Sequence, residues 1–194
     1  MNDFSEKLIN KPCCDYGYSA PEWLSQSIRI STDCDHFQRK AKRLMNTDLM
    51  PNFWKLSHGW KEFSFLDMVE CIDEKLVYIH RTTAGKGASS VSQAEEFVNA
   101  PIGDYFYLTH GNQGVFLLGQ FTGPVNYFTK HSDGWMDRPF RLIHKANARE
   151  AYYGVEKWWT PNHNSTFVKV PHHEYDLFEE LILTPYFDIN LKDF

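Results

Sequence analysis

No apolar run in this chain of 194 residues approaches the roughly 20 residues that a helix needs to cross a bilayer. The opening stretch, MNDFSEKLIN, lacks the basic-then-apolar pattern of a secretory signal. A soluble, cytoplasmic protein with no membrane partner is therefore expected. Cysteine is scarce: Cys13, Cys14, Cys34 and Cys71 form no CxxC pair, which points to reduced thiols rather than a disulfide framework. Cys13, Cys14, Cys34 and His36 make a poor zinc set, because adjacent cysteines rarely both reach one ion. No GxSxG, HExxH or GxxxxGK[ST] motif occurs; Gly85-Lys86-Gly87 is too short to cradle phosphates, and His172-His173-Glu174 lacks metal-ligand spacing. The acidic pairs Asp73-Glu74 and Glu95-Glu96 have no basic partner in a metal-nuclease arrangement. No catalytic centre, metal or cofactor is expected.

Basic residues are outnumbered, 20 against 25, for a net charge of −5. Such a chain does not simply coat nucleic acid, since nonspecific affinity comes from neutralising phosphates. What the sequence has in excess is aromatic surface, 16% of residues with six tryptophans. Large π-faces serve packing first, yet such an excess leaves several to line a pocket.

The length suits one domain, preceded by an N-terminal extension at residues 1–50. Within the extension, Glu22 to Ile30 and Asp35 to Met45 read as short helices, the second carrying the basic cluster Arg39, Lys40, Lys42 and Arg43. From 51 to 194 the texture changes. Phe53 to Ser57 and Leu76 to His80 are short β-runs, and a Gly/Ser/Thr loop follows to Ser90. Ser92 and Glu95 have capping-box spacing, so a helix should run from there to about Asn99 and stop at Pro101. Tyr105 to Thr109 and Val115 to Phe121 flank a Gly/Asn turn and form a hairpin. Both strands are apolar at nearly every position, which predicts cover on both faces, as in a small barrel. Arg138 to Lys145 is a further strand with Pro139 near its start, Thr166 to Val170 the last, and His173 to Leu183 a helix. The long polar and aromatic connection at 146–165 has the length of functional decoration.

Trp54, Trp60, Trp135, Trp158 and Trp159 are interleaved with Ser57, His58, Asp137 and Arg138 at strand ends. Tryptophan faces with a few hydrogen-bonding groups suit a flat ligand such as an extruded nucleobase. Core packing is the competing role of each tryptophan. Trp60 and Trp135, beside Gly59 and Gly134, are expected in loops.

The order FWKLSHG, VYIHR, a Gly/Ser loop into a short helix, GDYFYLTHGNQGVFLLGQFTGPV, RPFRLIHKA and STFVKVP resembles the EVE domain over about residues 52–184. That family belongs to the PUA-like superfamily and is related to YTH domains. The likeness extends to the modified-base-binding domain of modification-dependent restriction endonucleases. It implies an α+β fold, a small curved mixed β-barrel flanked by helices, reading a flipped base such as N6-methyladenine or a modified cytosine in an aromatic cage. By this resemblance Trp54, Ser57, His58, Gly59 and Trp60 from the first strand, His80 and Thr82 after the second, and Trp135 with Asp137 hold the base. Arg81, Lys86, Arg138 and Arg141 are the candidates for phosphate contact. Where relatives often carry tryptophan, this chain has His80-Arg81 and His144, so Trp60 or Trp159 would have to complete the cage. The implied partner is modified DNA or RNA, with a nuclease or other defence protein as associate, for a monomer or weak dimer.

Two other functions fit the same residues. A superfamily hydrolase acting on a modified nucleoside would need Lys55, Thr82 and Glu95 to converge. A protein-interaction module would use the aromatic surface and the acidic C-terminal part, residues 151–194, which holds 3 basic and 7 acidic side chains.

Overall fold

A computed structural model of the protein describes residues 51–87, 89–129 and 133–194. The extension at 1–50, with its expected helices, basic cluster and three of the cysteines, lies outside the described residues. Six strands make one mixed sheet: β1 (Phe53–His58), β2 (Leu76–His80), β3 (Tyr105–His110), β4 (Val115–Phe121), β5 (Trp135–Lys145) and β6 (Phe167–Lys169), in the order β2-β5-β4-β3-β1-β6. β1 and β3 run parallel and the other neighbours antiparallel. The fold is α+β with a curved sheet. The barrel expected from the sequence is open, with β2 and β6 as edges.

The hairpin is β3 and β4, and its all-apolar strands separate two cores. Phe106, Leu108, Leu117 and Phe121 point into one, with Trp54, Leu56, Phe97 and Phe167. Tyr107, Val115 and Leu118 point into the other. There Tyr175, Phe178, Ile182 and Phe187 cover them, from a helical run at 172–187 that includes a π-helical stretch, Glu179–Leu183. The second face of the sheet is thus covered by helix, not by an opposite barrel wall.

Two helices complete the unit. α1 (Phe65–Glu74) begins at a reciprocal capping box: Ser64 Oγ accepts from the Asp67 amide while Asp67 accepts from the Ser64 amide. α2 (Gln93–Asn99) has Ser92 as N-cap, its hydroxyl accepting from the Glu95 amide at 3.0 Å. α2 touches both edge strands, β2 and β6. At its start Gln93 Nε2 donates to Ala84 O at 2.7 Å, and Gln93 Oε1 accepts from the amides of Thr166 and Phe167 at 2.7 and 3.0 Å. One buried side chain therefore ties the segment after β2 to the start of β6.

β5 is longer than its sequence pattern predicts. It begins at Trp135, because Trp135 to Pro139 pair with β2 before Phe140 to Lys145 pair with β4. Pro139 stands where the strand exchanges partners, a position that tolerates a missing N–H.

Candidate functional site

Strand register brings one set of strand ends together. The parallel pairing sets His58 opposite His110, beside the hairpin turn, and the antiparallel pairing sets His80 opposite Trp135. Around these ends lies a cavity of about 860 Å³, lined by the end of β1, the turn at 59–63, His80, Trp135 and the segment 161–166.

Trp135 is half-buried, with Phe63 and His80 both packed edge-on at 4.9 and 5.4 Å. Trp60 stands at the rim and is 59% exposed. Gly134, immediately before Trp135, has φ of +88°, and a Cβ there would lie 2.4 Å from His80 Nε2. Glycine is required at that position on both counts.

The histidines have distinct roles. His58 is buried, and its Nε2 accepts from the Tyr78 amide at 3.1 Å, which leaves the proton on Nδ1, 3.1 Å from Met68 Sδ. Its ring stacks on Phe63 at 4.5 Å. His58 therefore offers the cavity a ring rather than a hydrogen-bonding nitrogen. His80 Nδ1 faces the Thr82 hydroxyl at 2.7 Å and accepts from the Thr82 amide at 3.3 Å. Its Nε2 accordingly carries the proton. His163, on the far wall, is held below the usual imidazole range by burial first and then by the charges of Lys55 and Lys86.

That wall is built from the inside. Lys55, on β1 and fully buried, donates from Nζ to Thr160 O at 2.8 Å, His163 O at 2.7 Å and Ser165 Oγ at 3.0 Å. Tyr107 Oη donates to Trp159 O. Trp159 Nε1 and Lys157 Nζ both donate to Glu174, at 2.5 and 2.8 Å, and the two hydrogen bonds are the leading reason its carboxyl is held below the ordinary range.

Of the expected base-binding residues, Ser57, His58, Gly59, Trp60, His80 and Trp135 line the cavity. Trp54 does not: it is stacked on Phe167 at 4.6 Å in the core and donates from Nε1 to Asp104 at 2.8 Å. Thr82 holds His80 instead of facing the cavity, and buried Asp137 accepts from Asn126 Nδ2 at 3.2 Å. Trp159 cannot complete a cage, being fully buried against Phe178 in the second core.

The expected phosphate contacts divide. Lys86 and Arg81 are exposed, Arg81 3.8 Å from Asp133. Arg138 is buried and donates to the carbonyls of Phe97, Ala100 and Gly123, with its guanidinium 4.0 Å above the Phe121 ring. It closes the C-terminus of α2, whose free carbonyls attract a cation. Burial pulls its pKa to about 10, so it stays charged at neutral pH. Arg141 donates to Gln120 Oε1 at 2.6 Å and lies six residues along β5 from Trp135, roughly 20 Å at 3.3 Å per residue.

Lys55, Thr82 and Glu95 do not converge in the cavity: Lys55 Nζ is bonded under the wall, Thr82 is bonded to His80, and Glu95 is exposed on α2 away from the lining residues. Among the described residues no cluster of histidine, cysteine and acidic side chains could hold a metal, and no helix is long and apolar enough to cross a membrane. Sequence reasoning missed α1, Phe63 and the tie made by Gln93, and marked the wall only as part of the long connection at 146–165; α1 had a local signal, Ser64 with Asp67 three residues on.

No family model and no curated protein matches the sequence. A solved structure of a hypothetical protein from Leishmania major is similar over 67% of this chain and 93% of that one, at 14% identity and a TM-score of 0.39.

Proposed function

We propose that the cavity receives one modified nucleobase extruded from DNA, the role implied by the resemblance to EVE and other PUA-like domains. The observation that carries the reading is that Trp60 and Trp135 line a single cavity with Ser57 and His80. Its volume, about 860 Å³, falls in the roughly 300–1,000 Å³ range of small-molecule sites. Extrusion costs a few kcal/mol, and stacking at about 1–3 kcal/mol per base offsets it. The Ser57 hydroxyl and the His80 Nε2–H are the groups for reading a base edge. Among the described residues, Lys61 at the cavity and the exposed Arg81 and Lys86 after β2 are cations placed to meet phosphate. In a restriction or defence setting the domain would act as the sensor for a partner nuclease.

The test is fluorescence anisotropy with single-stranded and duplex DNA carrying N6-methyladenine, 5-methylcytosine or neither, and the matching RNAs. At least one modified probe should bind about tenfold tighter than its unmodified counterpart, and Trp135→Ala should erase that preference. Equal affinity for all probes overturns the reading.

A further inference from the structure

Trp158 takes no part in the cavity lining, yet it is half exposed and fixed on several sides. Its carbonyl accepts from Ser165 Oγ at 2.6 Å, and that hydroxyl accepts from Lys55 Nζ at 3.0 Å. The next residue, Trp159, is fully buried. The Trp158 ring meets the His163 ring at 4.8 Å, and its benzo edge rests on Gly87, where a Cβ would lie 2.4 Å from Cη2. Gly87 has φ of +63°, so the chain passes under the indole in a conformation that favours glycine.

His163 is itself a wall residue of the cavity, so this indole stands one side chain away from the proposed base. Beside it, Lys86 is exposed and forms no ion pair with the described residues. A pre-positioned aromatic face next to a free cation matches what a neighbouring nucleotide offers, a base to stack and a phosphate to neutralise. A free nucleoside has neither a second base nor a bridging phosphate, and would leave both groups unused.

Resting on the base-binding reading, we propose that Trp158 is a second stacking platform, for the nucleotide that flanks the base in the cavity, with Lys86 meeting the phosphate between them. The ligand is then a strand, not a free nucleoside, and the flanking nucleotide is unstacked from its own neighbour.

Two probes separate the possibilities: the nucleoside N6-methyladenosine and a short DNA single strand with one central N6-methyladenine, or the pair carrying whichever modification binds. Trp158→Leu keeps apolar cover over His163 and removes the π-face, whereas Trp158→Tyr keeps one. Trp158→Leu should weaken strand binding by about five- to tenfold and leave the nucleoside unchanged, with Trp158→Tyr within about twofold of the parent. Lys86→Ala should weaken the strand and reduce its salt slope by about one. The platform is overturned if Trp158→Leu leaves strand affinity unchanged, if it weakens nucleoside and strand alike, or if the parent protein binds both probes equally. If no modified nucleoside or strand binds the parent protein, the base-binding reading fails first and this one with it.

Discussion

Lys55 Nζ donates to the His163 carbonyl at 2.7 Å across 108 residues of sequence, so a strand in the core of the sheet holds the far wall of the cavity. The same ammonium holds Thr160 O and Ser165 Oγ. Lys55→Met would leave these three acceptors without their donor, at a cost of about 2–5 kcal/mol in urea unfolding. The pH dependence follows from burial, which pulls the Lys55 pKa from 10.5 to about 7. Between those values the unfolded chain binds the extra proton, so the group's contribution to stability rises with pH; the penalty for its charge is full below about 7. The stability difference between the parent protein and Lys55→Met should therefore grow, by on the order of 2 kcal/mol, from about pH 7 to pH 9. A flat difference would show that the buried amine does not titrate there.

Arg138 and Arg81 are expected to respond in opposite ways. Arg138→Met removes the cation that serves the Phe97, Ala100 and Gly123 carbonyls, and should cost about 3–5 kcal/mol in unfolding free energy. It should leave the salt slope of strand binding untouched. Arg81→Ala should be nearly neutral for stability, since its ion pair with Asp133 is exposed, and should lower the salt slope by about one. A lowered slope in Arg138→Met protein that remains folded would restore it as a phosphate contact.

These residues mark where the sequence is legible. The hairpin was readable because its turn and its doubly apolar strands are local, and Ser92 gave the start of α2 for the same reason. The same doubly buried pattern hides facing: Trp54, within the first strand, reads equally as a base-binding or a core residue, and only the fold shows it stacked on Phe167 and away from the cavity. Arg138 read as a surface cation because its acceptors are backbone carbonyls 15, 38 and 41 residues away. Lys55 and Gln93 were invisible as structural residues on the same ground.

Gly134 and His80 should couple. Gly134→Ala faces both a positive φ and a contact with the His80 ring, and is expected to cost about 2–4 kcal/mol. It should also weaken ligand binding, because the imidazole it displaces packs against Trp135. His80→Ala removes the obstruction but not the backbone strain, so Gly134→Ala should cost about 1 kcal/mol in that background. A double-mutant cycle by urea unfolding measures the difference; additive effects would mean that the ring already has room to move.

Gln93 gives a test of how the open sheet is closed. Its amide joins Ala84 to Thr166 and Phe167, so it holds the segment after β2 and the start of β6 at a fixed separation. The cavity uses residues from both sides of that tie, His80 on one and the 161–166 segment on the other. Gln93→Leu keeps the apolar bulk and leaves two amides and a carbonyl without partners, at about 2–4 kcal/mol in total. The local consequence is more telling than the global one. Hydrogen exchange at the Thr166 and Phe167 amides should accelerate beyond the change in global stability, while Tyr107 and Leu118 in the hairpin follow the global value. If all four amides shift equally, the tie contributes only to overall stability and β6 is held by its pairing with β1.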